Sequence, residues 1–339
     1  MKPLIFSCAG PVLSEEERDF FRRENPLGFI LFARNVENPE QVRTLIDDFR
    51  EAVGRKDAPV LVDQEGGRVQ RLRSPYWHDA PAFGKIGALY QSEPEKGRQA
   101  TRLATRLIAL DLQGVGITVD CSPCLDLSFE QTSAVIGDRS FHQDPAIVAE
   151  LGAIVAEEFM AAGITPVIKH MPGHGRGEVD SHIELPVVSA DRADLLKTDF
   201  AAFKSLNQLP WGMTAHIVFD QIDPVRPATQ SSIVIQEIIR GEIGFEGLLL
   251  TDDLNMQALD GSLAERATRA LEAGIDIVLH CSGILSEMKE VAAVCSSINE
   301  GTLARYDKSK EAVAQAPQLS SDTEQLKSDI ERLLAELDL

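Results

Sequence analysis

Residues 164–182 read ITPVIKHMPGHGRGEVDSH, and this stretch decides how the rest of the chain is interpreted. Its first five residues are mostly apolar and β-branched, which predicts a buried parallel strand. Three glycines and a proline then break any regular structure, so a loop follows. The strand therefore presents Lys169 and His170 at its carboxyl end, and the loop carries Asp180 and His182. A polar loop positioned by a rigid strand is a typical place for chemistry.

The same strand-then-loop unit recurs along the chain, with amphipathic helical stretches between the strands. Eight short apolar runs are predicted as strands, at residues 4–7, 29–32, 59–62, 117–120, 164–168, 212–218, 247–251 and 275–279. Eight βα units in 339 residues predict an α/β fold, a single-domain (β/α)₈ TIM barrel. A doubly wound open sheet is the alternative, but no G-x-G-x-x-G follows the first strand, which disfavours its dinucleotide-binding version. We expect one catalytic barrel over residues 1–339, with a C-terminal helical tail from about residue 320.

Composition excludes several classes of partner. The formal net charge of −20 makes nucleic acid an improbable ligand. No apolar run approaches the ~18 residues of a membrane span, and the N-terminus lacks the apolar region of a signal peptide. The odd number of cysteines, five, indicates a reducing compartment, so we expect a cytoplasmic protein. Separately, we expect a monomer. The C-x-x-C at residues 121–124 has no second ligand pair and predicts buried thiols rather than a zinc or redox site.

Polar and charged residues crowd one end of the predicted strands. In a barrel, functional side chains come from the carboxyl ends of different strands, so this distribution indicates an enzyme. The residues at these ends and in the loops that follow are Asp63, Arg71, Arg139, Lys169, His170, His216, Asp252, Asp253 and His280.

Three of the candidate residues have the chemistry of catalytic groups. Asp252 follows a buried strand, and such a carboxylate can be a covalent nucleophile, a general base or a metal ligand. Asp180 and His182 lie two residues apart, and a carboxylate that accepts a hydrogen bond from an imidazole fixes its tautomer and raises its basicity. His182 is therefore a candidate general acid/base.

The other candidates have the chemistry of binding groups. Lys169 and His170 can bind hydroxyl groups, and Asp63, Arg71 and Arg139 can hold a substrate, although each of these three could also form a structural salt bridge. His174, between two glycines, is as good a candidate for bracing the loop as for catalysis. We expect His216 and His280 to be structural and Asp253 to support its neighbour.

Several segments together resemble the family 3 glycoside hydrolases. The match is best with the short, single-domain bacterial β-N-acetylhexosaminidases of peptidoglycan recycling, and it spans roughly residues 1 to 320. The segments are KHMPGHG (169–175) followed by DSH (180–182), DQEGGRVQR (63–71), IGDRSF (136–141), MTAH (213–216) and TDDLNM (251–256). Met171, Thr251 and Asn255 stand where other residues are common in the family, which affects the expected shape of the pocket and not its chemistry.

The resemblance implies a retaining exo-β-N-acetylglucosaminidase with a (β/α)₈ barrel. It implies Asp252 as the nucleophile that forms a glycosyl-enzyme, and His182, paired with Asp180, as the acid/base. The matching sugar-binding positions are Asp63, Arg71, Arg139, Lys169 and His170. The implied substrate is a terminal non-reducing β-linked N-acetylglucosamine on a cytoplasmic muropeptide carrying 1,6-anhydro-N-acetylmuramic acid. No metal and no organic cofactor are implied.

A histidine acid/base is chemically reasonable here. Retaining glycosidases usually pair two carboxyl groups, but a neutral imidazole deprotonates water without adding negative charge beside the intermediate. The unperturbed imidazole pKa, near ~6.5, suits both steps. Because His182 lies on a glycine-rich loop, we expect that loop to close over bound substrate.

Other readings of the same residues remain open. A metal-dependent barrel hydrolase would use His170, His174, His182 and Asp252, and a Schiff-base aldolase would use Lys169. A GlcNAc phosphorylase is a further alternative, because a histidine acid/base does not repel phosphate. A non-catalytic sugar-binding protein is disfavoured because Asp180, His182 and Asp252 are all present.

Overall fold

Ten strands, all in parallel pairs, occur in the computed structural model, which describes residues 1–181, 184–317, 327–328, 332 and 334–337. Eight of them form one sheet: β1 (Lys2–Phe6), β2 (Pro26–Leu31), β3 (Val60–Val62), β4 (Val119–Asp120), β5 (Thr165–Met171), β7 (Trp211–Thr214), β9 (Leu248–Thr251) and β10 (Val278–His280). The remaining two, β6 (Val187–Val188) and β8 (Val218–Phe219), pair with each other.

The sheet curls into a barrel. Its order is β10-β1-β2-β3-β4-β5-β7-β9, so the strands are adjacent in the order in which the chain visits them. The two ends meet where Leu250 bridges to Ile277 and where the N–H of Thr251 donates to the carbonyl of Ile277 at 3.1 Å. All eight strands predicted from the sequence are present, and the (β/α)₈ barrel is confirmed.

The helices lie around the barrel in the order expected of βα units. They are α1 (Glu15–Glu24), α2 (Pro39–Val53), α3 (Phe83–Ser92), α4 (Pro94–Val115), α5 (Pro145–Ala161), α6 (Arg192–Lys197), α7 (Asp199–Ser205), α8 (Leu263–Ala273), α9 (Leu285–Val294) and α10 (Glu300–Gln315). A serine followed three residues later by a glutamate predicts a capping box, and both such boxes are formed at the starts of α1 and α8, where Ser14 and Ser262 accept from the N–H groups of Glu17 and Glu265. None of the described helices is long and apolar enough to cross a membrane.

Some predicted elements differ in detail. The sequence predicts one helix over about residues 190–206, but the structure has two, α6 and α7, because the backbone of Thr198 leaves the helical region. The sequence also predicts a helix over about residues 231–243, and this segment is largely a π-helix, Val234–Glu242. The sixth strand ends at Thr214 rather than at Val218. Most of the predicted C-terminal tail lies outside the described residues, and so does the capping box that Ser321 and Glu324 predict for it.

Two apolar layers hold the barrel together. Inward-facing side chains, among them Ile5, Leu61, Val167 and Leu250, fill its interior. Outward-facing side chains pack against the helices in a second and larger cluster. Helix α10 lies against the amino-terminal end, where the indole of Trp211 donates to the Ser309 hydroxyl at 3.0 Å. The opposite, carboxyl-terminal end carries the polar residues, and we call it the mouth.

The cysteines support the sequence interpretation. All five are buried and none forms a disulfide. Burial raises the pKa of the Cys121 and Cys124 thiols well above the ordinary value, so both thiols keep their protons. The C-x-x-C therefore supplies buried thiols, as predicted.

Candidate active site

An ion-pair network occupies one side of the mouth. It joins four of the predicted binding residues, Asp63, Arg71, Arg139 and Lys169, and it includes Glu65, which was not among the predicted residues. The ammonium nitrogen of Lys169, on β5, lies 2.9 Å from Asp63 and 2.6 Å from Glu65, both on the loop after β3. Arg139 binds Glu65 through two nitrogens, at 2.9 and 2.8 Å. Arg71 donates to the other oxygen of Asp63 at 3.0 Å.

The network is ionised although it is largely buried. Burial opposes ionisation of Glu65, but the charges of Arg139 and Lys169 outweigh it and lower the pKa of Glu65 to about 2. The same balance, with Lys169 and Arg71 as partners, holds the pKa of Asp63 well below its usual range. Burial likewise works against the charge of Lys169, but Asp63 and Glu65 raise its pKa. These side chains are therefore fixed before any ligand arrives.

His170 is held by a buried carboxylate that sequence reasoning did not identify. Its Nδ1 lies 2.6 Å from Oδ2 of Asp126, whose other oxygen accepts the backbone N–H of His174 at 2.6 Å. Burial opposes the charge of Asp126, but His170 and the bonds from these donors hold its pKa well below the usual range. An ionised Asp126 can only accept, so Nδ1 of His170 carries the proton and Nε2 faces the mouth.

Asp252 lies in the mouth, directly after β9 and near Lys169 of the network. Its Oδ2 is 4.0 Å from Nε2 of His170, and its Oδ1 accepts the N–H of Asp253 at 2.8 Å. Burial works against its charge, but the imidazoles of His170 and His216 and the N–H of Asp253 lower its pKa. Its side chain is 21% exposed. A charged, reachable carboxylate therefore stands beside the ion-pair network.

The loop that carries Asp180 is anchored on both sides of the mouth. On one side, the Thr132 hydroxyl donates to the carbonyl of Gly175 at 2.6 Å, and the N–H of Ser133 donates to that of Gly177 at 2.9 Å. On the other side, the N–H of Ala258 donates to the carbonyl of Ser181 at 3.3 Å. The loop therefore spans the mouth between the segments that follow β4 and β9. Asp180 is half-buried, whereas His182 lies outside the described residues.

The remaining histidines have structural contacts. The ring of His216 bonds to the Thr229 hydroxyl at 2.8 Å and to the carbonyl of Asp253 at 3.0 Å, which fixes the turn after β9. His280 contacts the Ser282 hydroxyl at 2.9 Å. Burial lowers the pKa of His174 to about 4, and its Nε2 bonds to the Ser181 hydroxyl at 3.2 Å. A neutral His174 thus links the strand end to the loop.

Two residues of the site were missed by sequence reasoning. Glu65 lies within the DQEGGRVQR segment, but nothing local distinguishes it from a surface glutamate. Asp126 follows β4 among apolar residues, and a charge in that setting is a signal of pairing. Which partner each carboxylate takes depends on the barrel, because Arg139 is 74 residues from Glu65 and His170 is 44 from Asp126.

One group of potential metal ligands is present among the described residues. It consists of Cys124, Asp126 and His170, all buried. The two oxygens of Asp126 already accept from His170 and His174, and the Cys124 thiol lies 3.3 Å from Oδ2 of Asp126. This group does not contain Asp252, which the metal-dependent alternative requires.

Comparisons with known proteins point to one family. The sequence model of the protein family described as the glycosyl hydrolase family 3 N terminal domain matches residues 11–316. A β-hexosaminidase of Alkalilimnicola ehrlichii is 41% identical over 284 residues, covering 83% of this chain and 80% of the relative. One of Bordetella avium is 37% identical with the same coverage. The crystal structure of NagZ from Neisseria gonorrhoeae in complex with N-trifluoroacetyl-D-glucosamine superposes with a TM-score of 0.86 at 31% identity, covering 98% of each chain.

The family match and these relatives together show that the chain is a glycoside hydrolase. The chain belongs to glycosyl hydrolase family 3, and within it to the β-hexosaminidases of the NagZ type.

Proposed function

We propose that this chain is a retaining exo-β-N-acetylglucosaminidase, in which Asp252 attacks the anomeric carbon of a terminal N-acetylglucosamine. The observation that carries the proposal is the ionised Asp252 carboxylate in the mouth, 4.0 Å from His170 and beside the ion-pair network. A nucleophilic carboxylate must be charged and reachable, and Asp252 meets both requirements.

The network also has unused donors for sugar hydroxyls. An ammonium group has three N–H bonds, and the carboxylates of Asp63 and Glu65 occupy two of those on Lys169. Nε of Arg71 is buried and has no hydrogen-bond partner among the described residues. Because an unpaired buried donor costs free energy, a ligand hydroxyl at these two atoms would be bound favourably. This supports Asp63, Arg71, Arg139, Lys169 and His170 as the sugar-binding set.

The acid/base role is assigned to His182, with Asp180 as its partner. In the first step, the protonated imidazole gives its proton to the glycosidic oxygen as the bond to Asp252 forms and the aglycone leaves. In the second step, the neutral imidazole takes a proton from water, which attacks the anomeric carbon and releases Asp252. The loop anchored at Gly175, Gly177 and Ser181 supports this role because it spans the mouth, and we propose that it closes on substrate.

The substrate is proposed from the relatives. The NagZ structure with N-trifluoroacetyl-D-glucosamine supports an N-acylated glucosamine in the mouth. We propose that the aglycone is a 1,6-anhydro-N-acetylmuramic acid muropeptide and that the reaction belongs to cytoplasmic cell-wall recycling. We further propose that the whole chain acts as one catalytic domain and as a monomer, without a metal or an organic cofactor.

The test combines turnover with trapping. Wild-type protein should hydrolyse 4-nitrophenyl β-N-acetylglucosaminide but not the matching β-glucoside, with and without EDTA, and proton NMR should show the β-anomer first. Asp252→Ala should lower kcat by roughly 10⁴-fold or more, and azide should restore turnover with an α-glycosyl azide as product. Asp260→Ala, at an exposed carboxylate paired with Arg269, is the matched control and should keep wild-type rates.

Three results would contradict the proposal. Loss of activity in EDTA would favour a metal-dependent hydrolase. Release of a sugar 1-phosphate in phosphate buffer would favour a phosphorylase. A β-glycosyl azide from Asp252→Ala, or full activity of this variant, would remove Asp252 as the nucleophile.

A further inference from the structure

We propose that the guanidinium of Arg34, held against Phe32 at the rim of the mouth, binds a carboxylate on the leaving group of the substrate. The inference rests on the proposed function, because it assigns the chemistry of the group that the enzyme releases. It makes Arg34 a specificity-determining residue that favours an aglycone with a free lactyl carboxylate over a muropeptide, in which the peptide is joined to that carboxyl group as an amide.

The position of Arg34 is fixed by contacts with three strand ends. It follows β2, its Nε donates to the carbonyl of Cys8 at 3.0 Å after β1, and its Nη2 donates to the Ser7 hydroxyl at 2.7 Å. Nη2 also donates to the carbonyl of Cys281, directly after β10. The N–H of Cys281 in turn donates to the carboxylate of Asp253, the neighbour of the proposed nucleophile. Arg34 is therefore on the mouth side of the barrel, next to the reaction centre.

Phe32 connects Arg34 to the sugar-binding network. The guanidinium carbons of Arg34 and Arg71 lie 5.0 and 5.4 Å from the centre of the Phe32 ring, so both cations contact one aromatic side chain. Arg71 binds Asp63, on the sugar side. Arg34 is exposed, so a group that is attached to a terminal sugar in the mouth and extends into solvent can reach its guanidinium.

Arg34 differs from the other cations of the mouth in its electrostatics. Lys169, Arg71 and Arg139 each pair with a carboxylate. Among the described residues, the hydrogen-bond partners of Arg34 are two carbonyls and a hydroxyl, all uncharged, and no carboxylate lies within 4 Å of its guanidinium. On a chain with a net charge of −20, an unneutralised arginine at the mouth favours an anionic ligand.

A carboxylate suits this site better than a neutral polar group. The three bonds to the strand ends use Nε and Nη2, and Nη1 remains with two N–H groups that no partner among the described residues takes up. A guanidinium held in one orientation gives strong, charge-assisted hydrogen bonds to a planar carboxylate. An aglycone whose carboxylate is converted to an amide loses the charge and keeps its shape.

The experiment compares two disaccharides with the same glycosidic bond. One is N-acetylglucosaminyl-β-1,4-(1,6-anhydro-N-acetylmuramic acid) with a free lactyl carboxylate, and the other is its lactyl carboxamide. We expect wild-type kcat/KM to be about tenfold higher for the acid, and we expect this preference to shrink as salt is added. In Arg34→Gln the acid/amide ratio should fall to near one, and in Arg34→Lys it should be intermediate.

The matched control is Arg43→Gln, an exposed arginine on α2 whose Nε donates to the carbonyl of Gly114. It makes the same change in net charge and should leave the ratio at its wild-type value. Thermal melting reports whether Arg34→Gln is folded, and the ratio is insensitive to the fraction of active protein.

The outcomes separate the two proposals. Equal loss on both disaccharides in Arg34→Gln would mean that Arg34 only braces the strand ends, and a wild-type ratio near one would equally overturn its proposed role, while the glycosidase stands. Failure of wild-type protein to cleave either disaccharide and the aryl glycoside would overturn the proposed function and, with it, this inference.

Discussion

Nδ1 of His170 lies 2.6 Å from Oδ2 of Asp126, and the side chains of both residues are almost fully buried. The same carboxylate accepts the backbone N–H of His174 through its second oxygen. Asp126 therefore orients the imidazole ring of His170 and, at the same time, fixes the start of the loop that carries Asp180. Because the two donors need two acceptor oxygens, the position cannot be filled by an amide without leaving one donor unpaired.

Asp126→Asn tests this double role. We expect the free energy of unfolding in urea to fall by ~1–3 kcal/mol because one buried donor loses its acceptor. We expect kcat/KM on an aryl N-acetylglucosaminide to fall by ~10²-fold because His170 loses its orientation. Asp307→Asn, at a half-exposed carboxylate on α10 that pairs with Lys310, is the control. Wild-type values for both quantities would show that Asp126 is dispensable.

Glu65→Gln tests the ion-pair network. The variant leaves Lys169 and Arg139 buried with one negative charge fewer, so we expect a loss of ~3–5 kcal/mol in the free energy of unfolding. Asp138→Asn removes the partner of Arg68 in an exposed pair and should cost less than ~1 kcal/mol. A loss no larger in Glu65→Gln than in this control would contradict the structural role of the network.

The pH dependence of the Glu65 effect follows from its depressed pKa. The pKa of Glu65 is about 2 in the folded protein, against ~4.3 for an unperturbed glutamate. The stabilisation is therefore complete above pH ~4.3 and is lost as the pH falls towards 2. Accordingly, the stability difference between wild type and Glu65→Gln should shrink over that window, and a difference independent of pH would argue against an ionised Glu65.

The stability that Asp253 contributes should depend on pH in the opposite direction to that of Glu65. Burial raises its pKa to about 6, although its carboxylate accepts N–H groups from Asn255 and Cys281. A raised carboxyl pKa contributes stability that is complete below pH ~4 and is lost as the pH rises through 6. Thermal melting of Asp253→Asn should therefore show it gaining on wild type between pH 4 and 7, by ~1–3 kcal/mol. The exposed Asp260→Asn should show no such trend.

The acid/base assignment predicts a dependence on the leaving group. His182→Ala should lower kcat/KM by ~10²–10⁴-fold on alkyl or sugar leaving groups, and much less on 4-nitrophenol, which departs without a proton. Asp180→Asn should give the same pattern in weaker form. Glu178→Gln, at an exposed acid on the same loop, is the matched control. A loss of equal size on good and poor leaving groups would remove His182 as the acid.

Much of the fold could be predicted from the chain because its signals are local. Each strand is a short apolar run, and each capping box needs only a serine and a glutamate three residues apart, as at Ser14 and Glu17. The break at Thr198 and the π-helix over Val234–Glu242 were not predictable, since helical periodicity continues through both segments.

The candidate site divides in the same way. The sequence by itself determined that Asp252 and Lys169 follow buried strands, because the end of an apolar run can be located in the linear sequence without knowledge of the fold. Only the tertiary structure decided which charges neutralise one another. Lys169 meets Asp63 across 106 residues because closure of the barrel brings their strand ends together. In a largely buried mouth, each charge requires a partner, and the curvature of the sheet determines which residue is near enough to be that partner.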